Sequence, residues 1–278
     1  MAYTFEPGQM YRRPTHFGPA LGPRQGPAGR KFSSPESHRA ISWSVQFLSN
    51  PAQLEALLPS CFALAGEPVV TVAFTEYTHI EWLAGRGYNT LGVSFPVRFE
   101  GEEDSAAGEF LTVLWENLTD PIITGREELG YSKIYCELPT PIEHEGETHC
   151  IAGWLGYKFM DMRLSDMTPA ELPVSAPAPD DGILRGTLHY KYMPRTGEWG
   201  TADAAYPVIT PAETPRLVVH EVLQGAGTVQ FHEARWEDLP TQYTIVNAFA
   251  GLEIREYLGA TITRSTGGKD LSDQRILK

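Results

Sequence analysis

The stretch with the greatest chemical potential runs from Glu116 to Leu138, ENLTDPIITGREELGYSKIYCEL, and its focus is Lys133. A lysine is a nucleophile only as the neutral amine. An apolar wall around Lys133 would disfavour the ammonium and free the amine to attack a carbonyl and form an imine. By residue type alone the plainer reading is a surface lysine at a strand edge, because most lysines stay charged and exposed. Arg126, Glu127 and Glu128 precede it. Arg126 reads as part of a structural ion-pair girdle, and Glu128 as an acid/base or substrate-binding group. Arg39 carries a fork that matches a carboxylate bidentately, although a surface role fits it equally. Ser132 adjoins Lys133, yet neighbours on a strand point to opposite faces and should not meet. A second polar cluster, Glu143 to His149, holds two histidines and three carboxylates. Its central Gly146 lies between two β-prone segments and its spacing fits no standard ligand set, so a solvated hairpin tip is expected and no metal site.

Elements must deliver Lys133 to such a wall. Phe110 to Trp115 (FLTVLW) predicts a buried strand, Thr119-Asp120-Pro121 a turn that stops it, and Gly125 to Gly130 one helical turn at most. Further strands are expected at Ala40–Phe47, Pro68–Thr75, Gly92–Phe99, His149–Leu164, Gly182–Tyr192, Ala205–Ile209, Arg216–Leu223 and Thr228–Trp236. A loop carries Gly85 to Asn89, and Tyr88 in it is a candidate proton donor. Asn50-Pro51 followed by AQLEALL predicts a capped helix, and Thr244–Ile254 a helix with Ile245, Phe249 and Leu252 on one face. The chain after Thr263 is polar and predicted to fray. Short β segments with few helical patterns predict a β-rich (α+β) domain over 38–278, an antiparallel barrel closed or nearly so, with a few short peripheral helices. Residues 1–37 form a Gly/Pro-rich arm whose Tyr3, Phe5, Tyr11 and Phe17 fit either disorder or packing on a neighbouring subunit. Thr168–Gly182 reads as a proline-rich surface loop.

The 278 residues suffice for one large core, and 42% hydrophobic residues are ordinary for a globular enzyme. A formal net charge of −13 argues against nucleic-acid and anionic-membrane partners. No apolar run reaches the roughly eighteen residues of a membrane span, and the N-terminus lacks a signal-like apolar core, so a soluble, cytoplasmic protein is expected. Cys61, Cys136 and Cys150 are too few and too dispersed for a disulfide framework. The sequon at Asn117 carries no weight without a secretory signal.

The order of apolar strand, Glu116-Asn117, Asp120-Pro121, Gly125-Arg126-Glu127 and a lysine eight residues after the glycine resembles the signature of the acetoacetate decarboxylase superfamily. Arg39 before WSVQF, PAQLEALLP, GRGYN at 85–89 and WEDLP extend the likeness thinly over most of the chain. The resemblance implies a closed or cone-like barrel and a homo-oligomer. It also implies an imine between Lys133 and a small keto acid, with no cofactor. The chain departs from the decarboxylating members at four places. Ile134 stands where they have a second lysine and Ser132 where a proline is common, while Thr90 occupies the position of a glutamate and Ala73 that of another carboxylate. An imine is an electron sink for decarboxylation, aldol chemistry or dehydration alike. The departures favour aldolase/dehydratase chemistry over acetoacetate decarboxylation, with Lys133 as nucleophile, Arg39 as carboxylate anchor and Tyr88 at the pocket mouth. A barrel that binds a small molecule without turning it over is the reading of another class.

Overall fold

The computed structural model describes residues 4–32, 38–173, 179–214 and 216–278. Tyr3, residues 33–37 of the arm and residues 174–178 of the proline-rich loop lie outside them. In chain order the elements are β1 (Arg39–Leu48), α1 (Pro51–Glu55), β2 (Phe62–Leu64), β3 (Val69–Ile80), β4 (Arg86–Glu100), β5 (Ser105–Glu116), α2 (Thr119–Thr124), β6 (Lys133–Tyr135), β7 (Ile142–His144), β8 (Glu147–Trp154), β9 (Tyr157–Pro169), β10 (Leu184–Pro194), β11 (Ala202–Pro211), β12 (Val218–Phe231), α3 (Tyr243–Ala250), β13 (Glu256–Thr266) and β14 (Arg275–Ile276).

All strands join one 14-stranded sheet in the order β14-β11-β10-β5-β4-β3-β1-β13-β12-β9-β8-β7, with β2 on β4 and β6 on β5. Two expectations are corrected here. The order ends at β14 and β7, so the sheet is not closed into a barrel, and β5 pairs in parallel with both β10 and β6, so it is mixed. The far edge of β5 is shared between these two partners: β10 takes Ala106 to Phe110 and β6 takes Leu114 to Glu116. Gly108 lets β10 come close, since a Cβ there would stand 1.9 Å from the carbonyl oxygen of Gly186.

Strand alternation divides β1, β3, β4 and β5 into two unlike faces. On one, Trp43, Val45, Phe74, Val72, Leu91, Val93 and Trp115 are buried and pack with Phe159, Met160, Met162 and Phe249 from the other half of the molecule. Fully burying each such side chain contributes ~1.5–3 kcal/mol, which makes this face the stabilising core. The other face carries three cross-strand rows. The first runs Ser265, Ala40, Tyr77, Tyr88; the second Thr263, Ser42, Thr75, Thr90, Glu116; the third Thr261, Ser44, Ala73, Gly92, Leu114, Lys133.

Several boundaries differ from the sequence reading for local reasons. Thr119-Asp120-Pro121 starts helix α2 rather than stopping at a turn, because proline in a first helical turn loses no hydrogen bond. A π turn, Gly125–Leu129, continues it to Gly130, whose φ of 85° ends it. The stretch from 149 to 164 is two strands, β8 and β9, folded at Leu155-Gly156, and the two strands expected between 216 and 236 are one, β12, which ends at Phe231. The loop before β4 is shorter than expected, because Arg86 to Asn89 already belong to the strand. Asn50 caps α1 by accepting from the Ala52 amide at 3.0 Å, and α1 ends early at Glu55. The tail does not fray: β13 runs to Thr266, β14 pairs with β11, and Leu277 is buried. No helix among the described residues is long and apolar enough to cross a membrane.

Candidate active site

β6 is only three residues long, so its place depends on bonds around it. The Cys136 amide donates to the Glu116 carbonyl at 3.1 Å and the Leu114 amide to that of Ser132 at 3.0 Å. Gln242, just before α3, accepts from the Trp115 indole at 2.7 Å and donates to the Tyr135 carbonyl at 2.9 Å, tying β6 to the core. Arg126 donates from Nη1 to the Lys133 carbonyl at 2.7 Å, a backbone hydrogen bond where an ion-pair girdle was expected. Lys191 donates to the carbonyls of Glu127 and Glu128 at 2.9 and 3.2 Å and so caps the end of the π turn.

Held in this way, Lys133 is 7% exposed, on the hydroxyl-bearing face. Its Nζ donates to the Pro121 carbonyl at 3.2 Å and lies 2.8 Å from Oε1 of Glu116. It also stands 5.7 Å from the centre of the Tyr131 ring. The wall around the lysine is therefore not wholly apolar: a buried carboxylate faces it. Neither oxygen of Glu116 accepts a well-directed hydrogen bond among the described residues, so its contact with Lys133 is an ion pair without hydrogen-bond alignment. Burial raises the pKa of Glu116 and the nearby Lys133 opposes that rise.

Phenols surround the pair. The Tyr77 and Tyr88 rings lie 5.3 Å apart. Burial, then the charge of Glu116, pushes Tyr77 up to about 12 against a hydrogen bond with Thr90. Burial and Glu116 also hold Tyr88 well above the ordinary tyrosine value, so both phenols keep their protons and can donate. Tyr131 bonds Thr210 through its hydroxyl at 2.5 Å and stacks on His189 with ring centres 4.1 Å apart. Burial lowers His189 to about 4, so the imidazole is neutral; its Nε2 donates to the Leu129 carbonyl at 3.0 Å.

Gly125 has φ −66° and ψ −36°, a conformation open to any residue, so its reason is space. A Cβ there would stand 2.4 Å from both Cδ and Cε of Lys133 and 2.7 Å from Nζ. Gly125→Ala is therefore expected to keep the fold, because a flexible side chain can yield, while displacing the amine and lowering kcat/KM about 100-fold. Circular dichroism and steady-state kinetics on the variant check this; unchanged kcat/KM would show that the lysine position is not critical.

Of the residues expected to act with Lys133, Tyr88 lies on the same face, near enough to Glu116 to feel its charge, and the other two are turned elsewhere. Arg39 alternates onto the face of Ile41 and Trp43, opposite Lys133, and its side chain is exposed at the strand end. Glu128 is engaged by Arg12 and Arg24 of the N-terminal arm, all three side chains being largely buried, and Arg13 reaches Glu127 at 2.9 Å. The GREE carboxylates thus fasten the arm. Ser132 and Ile134 point the other way from Lys133, into a groove of about 520 Å³ that Lys133 does not line. The cluster at 143–149 includes a hairpin tip, with Glu145 and Gly146 in its turn, and no group of side chains among the described residues is arranged to hold a metal. Glu116, Tyr77, Tyr131 and His189 were not singled out from sequence. The signal for Glu116 was a carboxylate one position past the apolar run FLTVLW, whose facing only the pairing of β4 with β5 reveals.

A profile of the family described as Acetoacetate decarboxylase (ADC) matches residues 14–267. The chain belongs to the acetoacetate decarboxylase family. No curated protein matches it. Among solved structures of this fold, the acetoacetate decarboxylase of Legionella pneumophila is similar at 20% identity and a TM-score of 0.63, over 91% of this chain and 92% of that one. An acetoacetate decarboxylase-like enzyme of Sphingomonas wittichii RW1 is 18% identical over 87% of this chain and 92% of that one, TM-score 0.62. The enduracididine biosynthesis enzyme MppR, in complex with the condensation product of pyruvate and imidazole 4-carboxaldehyde, is 15% identical over 92% of this chain and 97% of that one, TM-score 0.61. At these identities the likeness concerns the acetoacetate decarboxylase fold. Within that fold, Glu116 of this chain stands cross-strand from Thr90, the position where the family resemblance leads one to expect a glutamate.

Proposed function

We propose that the chain is a cofactor-free, Schiff-base-forming lyase that acts on a small keto acid through Lys133. The observation that carries this reading is the buried Lys133–Glu116 pair, 2.8 Å apart. Glu116 takes a proton from Nζ, and the free amine attacks the keto carbon of the substrate. A proton passes from the adduct nitrogen to the new alkoxide to give a carbinolamine, and the protonated Glu116 then gives its proton to that hydroxyl, so that water leaves and a protonated imine forms. Glu116, again a carboxylate, removes a proton from the carbon next to the imine to give an enamine. That enamine adds to the carbonyl carbon of an aldehyde, whose oxygen takes the proton held by Glu116. Glu116 then removes the second proton from the same carbon and returns it to the hydroxyl as water leaves, and a water molecule hydrolyses the iminium to free the unsaturated keto acid and Lys133. The phenols of Tyr77 and Tyr88 donate to the substrate carboxylate in place of the arginine expected from sequence.

Two observations favour aldolase/dehydratase chemistry over decarboxylation of a β-keto acid. Glu116 is a base poised at the lysine, and the half-buried rows beyond Thr90 carry hydroxyl groups that can hydrogen-bond a second carbonyl compound. The MppR complex holds such a condensation product on a similar fold. The test is borohydride trapping: incubation with pyruvate or acetoacetate, reduction, digestion and mass spectrometry of the peptide that contains Lys133. An adduct on that lysine, with condensation of pyruvate and an aldehyde, is expected. Release of carbon dioxide from acetoacetate without condensation would favour the decarboxylase. Absence of an adduct across a keto-acid panel would leave the non-catalytic binding protein.

A further inference from the structure

We propose that the distal part of the substrate is polyhydroxylated, and that the second row, Thr90, Thr75, Ser42 and Thr263, recognises its hydroxyl groups. This deepens the reading of Lys133 given above and rests on it. The three rows of the site face, from β13 to β4, comprise positions 40, 42, 44, 73, 75, 77, 88, 90, 92, 261, 263 and 265. None of them is charged, although charged residues make up 21% of the chain. Solvated faces of antiparallel strands ordinarily carry charges, so this composition marks a surface that meets something neutral and hydrogen-bonding. Ala40, Ala73 and Gly92 are the only members without a hydroxyl, and their side chains are small.

Burial changes along the second row as an entrance requires. Glu116 is 0% exposed and Thr90 5%, whereas Thr75, Ser42 and Thr263 are half-buried. Adjacent strands lie about 4.8 Å apart, so the row extends for roughly 15–20 Å away from the lysine. That reach accommodates a chain of several hydroxylated carbons. The row keeps capacity to spare: Thr75 donates to the Ser42 hydroxyl at 3.0 Å, which leaves the Ser42 proton and lone pairs on both oxygens. A hydroxylated aldehyde exchanges water for these groups without loss, while an alkyl chain would leave them desolvated and unpaired.

The experiment is the condensation of pyruvate with aldehydes of matched length, erythrose against butanal and glyceraldehyde against propanal. The hydroxylated member of each pair is expected to have at least about tenfold higher kcat/KM. Thr75→Val and, separately, Ser42→Ala should each shrink that preference several-fold. Equal or better use of the alkyl aldehydes overturns the proposal, as does a loss shared equally by both aldehyde classes in the variants, which would indicate a structural or assembly role. If no aldehyde turns over, calorimetric binding of gluconate against hexanoate to the same proteins reads the preference without catalysis, and tighter or equal binding of hexanoate overturns it. Pyruvate trapping on Lys133 separately decides the imine reading, so the two failures are distinguishable.

Discussion

Lys133→Ala is expected to remove the borohydride-trapped adduct and to lower kcat/KM by a factor on the order of 10⁴ or more, the usual scale for losing a covalent nucleophile. The same change carries a stability signature that a surface lysine would not produce. Lys133 and Glu116 are both buried, and Glu116 has no aligned hydrogen bond among the described residues to fall back on. Removing one partner of a buried ion pair costs about 3–5 kcal/mol, because the remaining charge is left desolvated. Glu116 can escape that cost by binding a proton, so the destabilisation should be large near pH 8 and shrink toward pH 5. Thermal unfolding at the two pH values checks this. Lys133→Met combined with Glu116→Gln should regain much of the lost stability and none of the activity, since it replaces the ion pair with neutral groups of similar volume. A Lys133→Ala protein that keeps its activity, or whose unfolding is unchanged at pH 8, would contradict the placement of the pair.

Lys133 stood out in sequence because a rare arrangement of glycines, carboxylates and a strand surrounds it within one short stretch. Glu116 did not, although it lies in the same stretch, because its facing is a matter of register. Leu114, Glu116 and Lys133 share a face only once β6 pairs with β5 at Leu114. A slip of one residue would turn the carboxylate into the core beside Trp115. Arg39 shows the converse. It shares its parity with Trp43, so its facing was legible from alternation alone, but which face holds the lysine was not. The open, mixed sheet was hidden for a similar reason. Parallel pairing of β5 with β10 joins residues some eighty positions apart, and local patterns report strands without reporting their partners. Helix α2 was misread because Thr-Asp-Pro serves turns and helix starts alike, and tertiary packing of Pro121 and Ile122 decides between them.

Glu116→Gln should separate imine formation from proton transfer. The amide keeps the shape of the side chain but cannot accept a proton, so kcat is expected to fall about 10²–10⁴-fold, the range for loss of a general acid/base, while trapping at Lys133 still occurs on longer incubation. A merely structural role for Glu116 would instead alter stability alone. The pH dependence of unfolding gives the independent readout. Burial raises the folded pKa of Glu116 above its unfolded value, so across that interval the folded protein holds more protons than the unfolded chain. The sign follows: this group's contribution is most favourable below the ordinary glutamate range and declines as pH rises toward the raised folded value, where the ionised carboxylate is desolvated. Glu116→Gln removes the titration, so the variant should lose less stability than the wild type between pH 4 and neutrality, as measured by urea unfolding at a series of pH values. Parallel curves for the two proteins would place Glu116 in a more solvated setting than the site requires, and the proposed proton transfers would then need another base.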